Sequence, residues 1–197
     1  MPQVDDRRAQ AVAGMLREAA RVHEEAAERS VASVLAAADV MTAALTGGGK
    51  VLIFGNGGSA ADAQHFACEL TGRFLRARRA LAAVALTTDT STITAVANDY
   101  GFDRIFVRQI EALGRPGDVA IGISTSGSSP NVVAGLQFAR SRGLKTVAFT
   151  GGTGGAVGAA GDVHVNVPHS ATPRVQELHR TLIHAVCDLI ESELPDA

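Results

Sequence analysis

KVLIFGNGGSAADAQHFACEL, residues 50–70, carries three local instructions in a row. KVLIFG (50–55) is almost wholly apolar, the pattern of a strand covered on both faces of a parallel sheet. GNGGS (55–59) is a glycine-rich tight turn. The residues after it favour a helix, on which His65 and Glu69, four apart, share one face. Strand, turn and helix form the first half of a βαβ unit. The turn and the pair have three readings at this point: a phosphate site, a metal site, or a tight turn feeding a core helix.

The rest of the chain repeats the scheme. Short apolar runs recur at 81–87, 118–124, 145–151 and 162–168, with helical stretches expected at 59–75, 91–113, 129–142, near 154–160 and at 173–193. Strands alternating with helices predict an α/β fold, a doubly wound five-stranded parallel sheet flanked by helices. Residues 5–46 are rich in helix formers and end at GGG (47–49), so one long helix or two shorter ones precede the sheet. This divides the chain into an N-terminal helical region, 1–46, and a sheet domain, 47–197. Val12, Met15, Leu16, Val22, Ala26, Val31, Val34, Leu35 and Met41 are too many apolar side chains for a free helix. They are expected to pack on the sheet domain or on partner subunits.

Composition narrows the function. Of 197 residues, 46% are hydrophobic and 19% charged, enough for a sizeable core. The net charge of −2, with no pooled basic residues and no Trp, argues against nucleic acid and against an anionic membrane surface. No apolar run reaches the ~18 residues of a membrane span. The opening MPQVDDRRAQ does not read as a signal peptide, and two cysteines suit a reducing cytoplasm.

Open α/β sheets bind ligands at the carboxyl ends of their strands. Three loops fall there: Gly55–Ser59, Thr87–Ser91 and Ser124–Ser129. The last carries five hydroxyls, one glycine and no charge, followed by Pro130 and a helix. Hydroxyls and a helix start suit a phosphate monoester. The alternative is ordinary helix capping by Ser and Thr. Neither a Walker A sequence nor a dinucleotide fingerprint is present, so nucleotide binding is the weaker reading.

His65 and Glu69 at this spacing suit a divalent metal or an acid/base pair. Cys68 is expected to be a buried structural thiol. In the last helix His179 and His184 lie about 140° apart, so one can face a site while the other faces solvent. His184 borders the apolar stripe, the usual position of a satisfied core histidine. Gln176 and His184 are about 12 Å apart along the axis, close enough for one sugar-sized ligand.

GNGGSAADAQHFACELTGRF (55–74), VANDYGF (96–102), GDVAIGISTSGSSPNVV (117–133) and TPRVQELHRTLIH (172–184) together resemble the phosphosugar isomerase (SIS) domains of the phosphoheptose isomerase family, over about residues 30 to 195. The resemblance implies a homotetramer with one Zn2+ per subunit. It implies conversion of sedoheptulose 7-phosphate to D-glycero-D-heptopyranose 7-phosphate, the first step of heptose nucleotide synthesis. By motif, His65, Glu69, Gln176 and His184 match the zinc ligands, and Glu69 and His184 the acid/base pair. Asn56, Gly57, Gly58 and Ser59 match the first substrate loop, Asn98 and Asp99 a second contact, and Ser124, Thr125, Ser126 and Ser129 the phosphate loop. Gln176 also matches a substrate contact. Where some relatives carry an acidic residue three before the glutamine, this chain has Pro173. Two other readings remain within the same domain class. One is a non-catalytic tetrameric adaptor that binds a replication initiator protein. The other is a phosphosugar-sensing module, usually fused to a DNA-binding domain.

Overall fold

A computed structural model describes residues 6–194; the first five and last three positions of the two expected regions lie outside it. The chain opens with α1 (Asp6–Arg29) and α2 (Val31–Thr46), two helices that meet at 69° around Ser30. The sheet strands are β1 (Val51–Gly55), β2 (Ala83–Ala85), β3 (Val119–Ser124), β4 (Lys145–Gly151) and β5 (Val163–Val167). Between them run α3 (Gly58–Thr71), α4 (Thr90–Tyr100), α5 (Ile105–Leu113), α6 (Pro130–Ser141) and α7 (Gly155–Ala160), and α8 (Thr172–Glu193) closes the fold. All strand pairs are parallel, in the order β2-β1-β3-β4-β5.

Period-two alternation along the strands builds two cores. Val51, Ile53, Ile121, Ile123, Val147 and Phe149 face the layer of α1, α2, α3 and α8. Leu52, Phe54, Ala120 and Ala148 face α5, α6 and α7. Both sides are covered, which is why the strands read as continuous apolar runs.

The structure adjusts three expectations. The helix expected at 91–113 is broken: Gly101 takes a φ of +89°, ends α4, and leads through a 3-10 turn into α5. The helix begun at the glycine turn stops at Thr71, and residues 72–82 cross to β2 without regular structure. Cys68 is exposed rather than buried, and Cys187 is the buried thiol. The buried face of α3 carries Ala63, Phe66, Ala67 and Leu70; Cys68 lies about 200° around the axis from Phe66.

The N-terminal region divides by burial. Ala37, Ala38, Met41 and Leu45 of α2 are core residues, whereas α1 buries only Val22 and Ala26 and leaves Val12, Met15 and Leu16 exposed. No single helix among the described residues is long and apolar enough to cross a membrane.

Candidate active site

The order 2-1-3-4-5 fixes where a ligand belongs. From β1 the chain moves outward to β2, then returns past β1 to β3, so the loops after β1 and β3 diverge and open a crevice. Both loops of the crevice were marked in the sequence. They are tied to each other by a reciprocal amide pair: Asn56 Nδ2 donates to Asn131 Oδ1 at 2.8 Å, and Asn131 Nδ2 donates to Asn56 Oδ1 at 2.9 Å. Asn131, buried in the first turn of α6, was not singled out in the sequence. The pair uses one donor and one acceptor of each amide, leaving one of each on Asn56.

In the loop after β3 the hydroxyls bond to one another instead of capping. Ser124 Oγ lies 2.9 Å from Ser129 Oγ and 3.4 Å from Ser126 Oγ, and Ser126 Oγ lies 3.0 Å from Ser128 Oγ. Ser129 stands at the N-cap of α6 but makes no side-chain cap bond. A chain of rotatable hydroxyls at a helix start can turn its protons toward an anion. Gly127 is required for shape: its φ is +67°, and any side chain there would overlap the Gly154 carbonyl. Thr125 completes the loop, half-buried beside Gly151 and Val175.

The loop after β2 takes the blander role. Asp89 caps α4, accepting from Thr92 N at 3.0 Å and Thr92 Oγ1 at 2.6 Å. The Thr92 hydroxyl and amide hold its carboxyl below the usual range. Asn98 and Asp99 are exposed on the last turn of α4, where Asn98 Nδ2 donates to Asp99 Oδ1 at 2.8 Å.

In its first turns α8 lies against the end of β4. Pro173 occupies its first turn, where a missing N–H costs nothing. Gln176 is half-buried beside Gly58, close enough that a side chain at Gly58 would strike its carboxamide. Ser59, the next residue of that turn, is buried. Among the described residues no hydrogen bond joins Gln176 to His65, Glu69 or His184. Two turns further on, His184 Nε2 lies 2.8 Å from His65 Nε2, and His65 Nε2 lies 3.4 Å from Glu69 Oε1. Ligand atoms of His65, Glu69 and His184 all fall within 4.8 Å of one another, each residue half-buried. Two imidazole nitrogens and a carboxylate oxygen are the donor types of catalytic zinc sites, so this cluster fits such an ion.

The two histidines of α8 sort differently from the expectation that one faces solvent. His179 is the buried core histidine: Nε2 donates to the Thr150 carbonyl at 3.0 Å, and burial lowers its basicity. His184 faces the site. Burial lowers its basicity too, the neighbouring His65 and Arg180 add to that, and the Glu69 carboxylate opposes it; the net direction is down. A neutral His184 imidazole can accept a proton at neutral pH.

Fold and site together define a doubly wound α/β domain with a crevice at its switch point and a His–Glu–His cluster on α3 and α8. The SIS domain family matches residues 15–151. A phosphoheptose isomerase of Neisseria meningitidis serogroup A is 53% identical over 93% of this chain and 94% of its own length. One from Geobacter sulfurreducens is 56% identical over 86% of this chain and 90% of its own. The solved phosphoheptose isomerase of Neisseria gonorrhoeae superposes with a TM-score of 0.88 at 50% identity, over 93% of this chain and 98% of that one. The chain belongs to the phosphoheptose isomerase family of SIS-domain proteins, and it is an isomerase.

Proposed function

We propose that the protein interconverts sedoheptulose 7-phosphate and D-glycero-D-heptopyranose 7-phosphate through an enediol, as a cytoplasmic homotetramer supplying the first step of heptose nucleotide synthesis. The observation that carries this reading is the meeting, within 4.8 Å, of ligand atoms of His65, Glu69 and His184 on α8 and on α3, the helix that begins in the crevice loop. The Ser124–Ser129 hydroxyls and the start of α6 hold the 7-phosphate. Asn56, Gly57, Gly58, Ser59 and the free carboxamide of Gln176 line the sugar, with Asn98 and Asp99 as further contacts.

Aldose–ketose isomerisation moves a proton between C1 and C2 and another between their oxygens. A base must take the carbon-bound proton, and an acid/base must serve the oxygens. Glu69 presents one carboxylate oxygen to His65, at 3.4 Å, and keeps the other for the carbon-bound proton. His184, whose basicity burial and the neighbouring His65 lower, shuttles the proton between the oxygens. A zinc ion, one per subunit, would be held by His65, Glu69 and His184, with Gln176 the fourth donor that the family resemblance names, and would supply Lewis-acid polarisation of the carbonyl.

Assembly is read from α1 and α2. Val12, Met15 and Leu16 are exposed on α1, and Val31 and Leu35 on α2. A groove of about 620 Å³ between α1 and α8 is lined by Val12, Met15, Leu16 and His184 among others, so the site adjoins the apolar face. A partner subunit seated there would cover both. The two free cysteines are in keeping with a reducing compartment.

The test is purified protein with sedoheptulose 7-phosphate, followed for aldose phosphate, with and without a chelator, with light scattering for the assembly. Aldose phosphate that disappears on chelation and returns with zinc supports the reading. A folded, zinc-supplemented protein that forms none would overturn the substrate assignment.

A further inference from the structure

Residues 72–82, between α3 and β2, have no regular structure, yet their middle is tied down by one acid and one base. The Glu191 carboxylate is wholly buried. It accepts three successive backbone N–H groups, from Phe74 at 2.8 Å and from Leu75 and Arg76 at 2.9 Å. Its fourth neighbour is Arg78 Nε at 3.1 Å. A buried carboxylate is costly unless it is paired and hydrogen-bonded, and here both conditions are met. Glu191 lies seven residues beyond His184, so both stand on one face of α8, about 20° apart.

Arg78 faces the other helix of the centre. Its Nη2 donates to the carbonyl of Glu69 at 2.7 Å, and Nη1 donates to those of Leu70, Gly72 and Arg79 at 2.8, 3.1 and 3.0 Å. The last carbonyls of a helix have no partners within it, and a guanidinium at that end satisfies them and matches the helix dipole. The last turn of α3, which carries Glu69, is thereby pinned. Between these anchors, the Phe74 ring stacks on the His184 imidazole, with centroids 5.3 Å apart and planes 29° apart. The second torsion of a histidine is broad, so a flat ring against one face is what restricts it. His65 meets the same imidazole edge-on, with ring centroids 5.1 Å apart, so Phe74 is what lies flat against its face.

We propose that residues 73–79 form a positioning strap for the isomerase centre. Phe74 sets the plane of His184, and the Glu191–Arg78 pair holds Phe74 and the Glu69 turn of α3 in one register. The inference rests on the reading of His184 as the acid/base at the oxygens. Phe74, Arg78 and Glu191 act through His184 and Glu69 and touch no substrate. A loop anchor with only a structural role would change melting temperature and yield, not turnover per folded molecule.

Three variants separate these cases, measured by steady-state isomerase kinetics with sedoheptulose 7-phosphate, each rate normalised to folded protein, with a thermal melt. Phe74→Leu keeps the bulk and loses the flat face. It should melt near wild type and keep its KM, while kcat falls by about 10- to 100-fold, as expected when a reacting group is misplaced by a fraction of an ångström to an ångström. Phe74→Tyr keeps the ring and should restore kcat. Arg78→Lys keeps the charge, but its single ammonium cannot span four carbonyls, so it should also lose kcat at constant KM. Wild-type kcat in either Phe74→Leu or Arg78→Lys overturns the strap. His184→Ala is the companion: if it is inactive while Phe74→Leu is fully active, the strap alone fails. If His184→Ala itself turns over normally, the reading of His184 fails, and the strap with it.

Discussion

Gly58→Ala tests Gln176 without altering it. Gly58 is the first residue of α3 and has no positive φ, so the backbone accepts alanine. A methyl built there would stand 2.8 Å from Gln176 Cδ and overlap its amide nitrogen, against an ordinary contact of at least 3.4 Å. The obstacle is the far end of a flexible side chain, so Gln176 gives way and the helix does not. Cδ must retreat by about 0.6 Å and the amide nitrogen by more, enough to stretch a hydrogen bond of about 2.9 Å to its limit. Loss of one such bond to a neutral sugar group costs about 0.5–1.5 kcal/mol, or roughly 2- to 13-fold in kcat/KM. Stability should move the other way, since replacing glycine at a compatible position adds about 0.4–1 kcal/mol. The assays are isomerase kinetics, a melt, and a double-mutant cycle with Gln176→Ala, in which Gly58→Ala should add nothing further. An undiminished kcat/KM would refute the placement of Gln176 on the substrate. Fully additive losses would show that Gly58→Ala acts through the backbone.

Other perturbations address the remaining groups. Glu69→Gln keeps size and removes the base, so kcat should fall by a factor of about 10² to 10⁴ while substrate still protects the protein in a melt; near-normal turnover would remove Glu69 from the role of base. Ser126→Ala removes one hydroxyl from the phosphate loop, worth about 1.5–3 kcal/mol against a charged ligand, and should weaken phosphorylated sugars selectively; equal weakening of an unphosphorylated ketose would contradict the loop's assignment. Glu191 gives a pH signature in stability. Burial pushes its carboxyl up, and the N–H groups of Arg76, Leu75 and Phe74 with the Arg78 guanidinium more than offset this, so the net value lies below the ordinary 4.5. A lowered carboxyl stabilises the fold above its unfolded value, and that stability is lost as pH falls from 4.5 through the folded value. Glu191→Gln should therefore cost about 3–5 kcal/mol at neutral pH in urea denaturation, and its stability should decline less between neutral and acid pH than wild type; parallel pH curves would contradict this.

The central strands β1, β3 and β4 could be read because they are buried on both faces and have no polar side to blur the pattern, whereas the edge strands β2 and β5 are only partly buried. The crevice loops could be read because the carboxyl ends of strands are fixed once the strands are. What escaped the sequence depends on partners far along the chain. Asn131 is 75 residues from Asn56, and Glu191 is 117 from Phe74; no local period links either pair. The hydroxyl run was ambiguous for a different reason. Ser129 before Pro130 has the form of an N-cap, and only the folded loop brings Ser124 within 2.9 Å to take its hydroxyl instead. The histidines of α8 show the same limit. Helical period separates His179 from His184 by about 140°, but only the position of Thr150 and Phe149 decides which one is buried.

α8 explains how a site built from distant motifs is kept in register. Val175 packs on Gly151 beside the Thr125 carbonyl, Gln176 on Gly58, His179 on Thr150, His184 on His65, and Glu191 on the strap. These contacts reach β4, α3 and the strap, yet all are rungs of one rigid helix. A shift of α8 along its axis by a single residue, about 1.5 Å, would break every one of them together. The buried His179 bond to the Thr150 carbonyl, made at the end of β4 midway along this row, fixes that register from within the core. The buried histidine of α8 therefore holds still the helix on which the half-exposed one works.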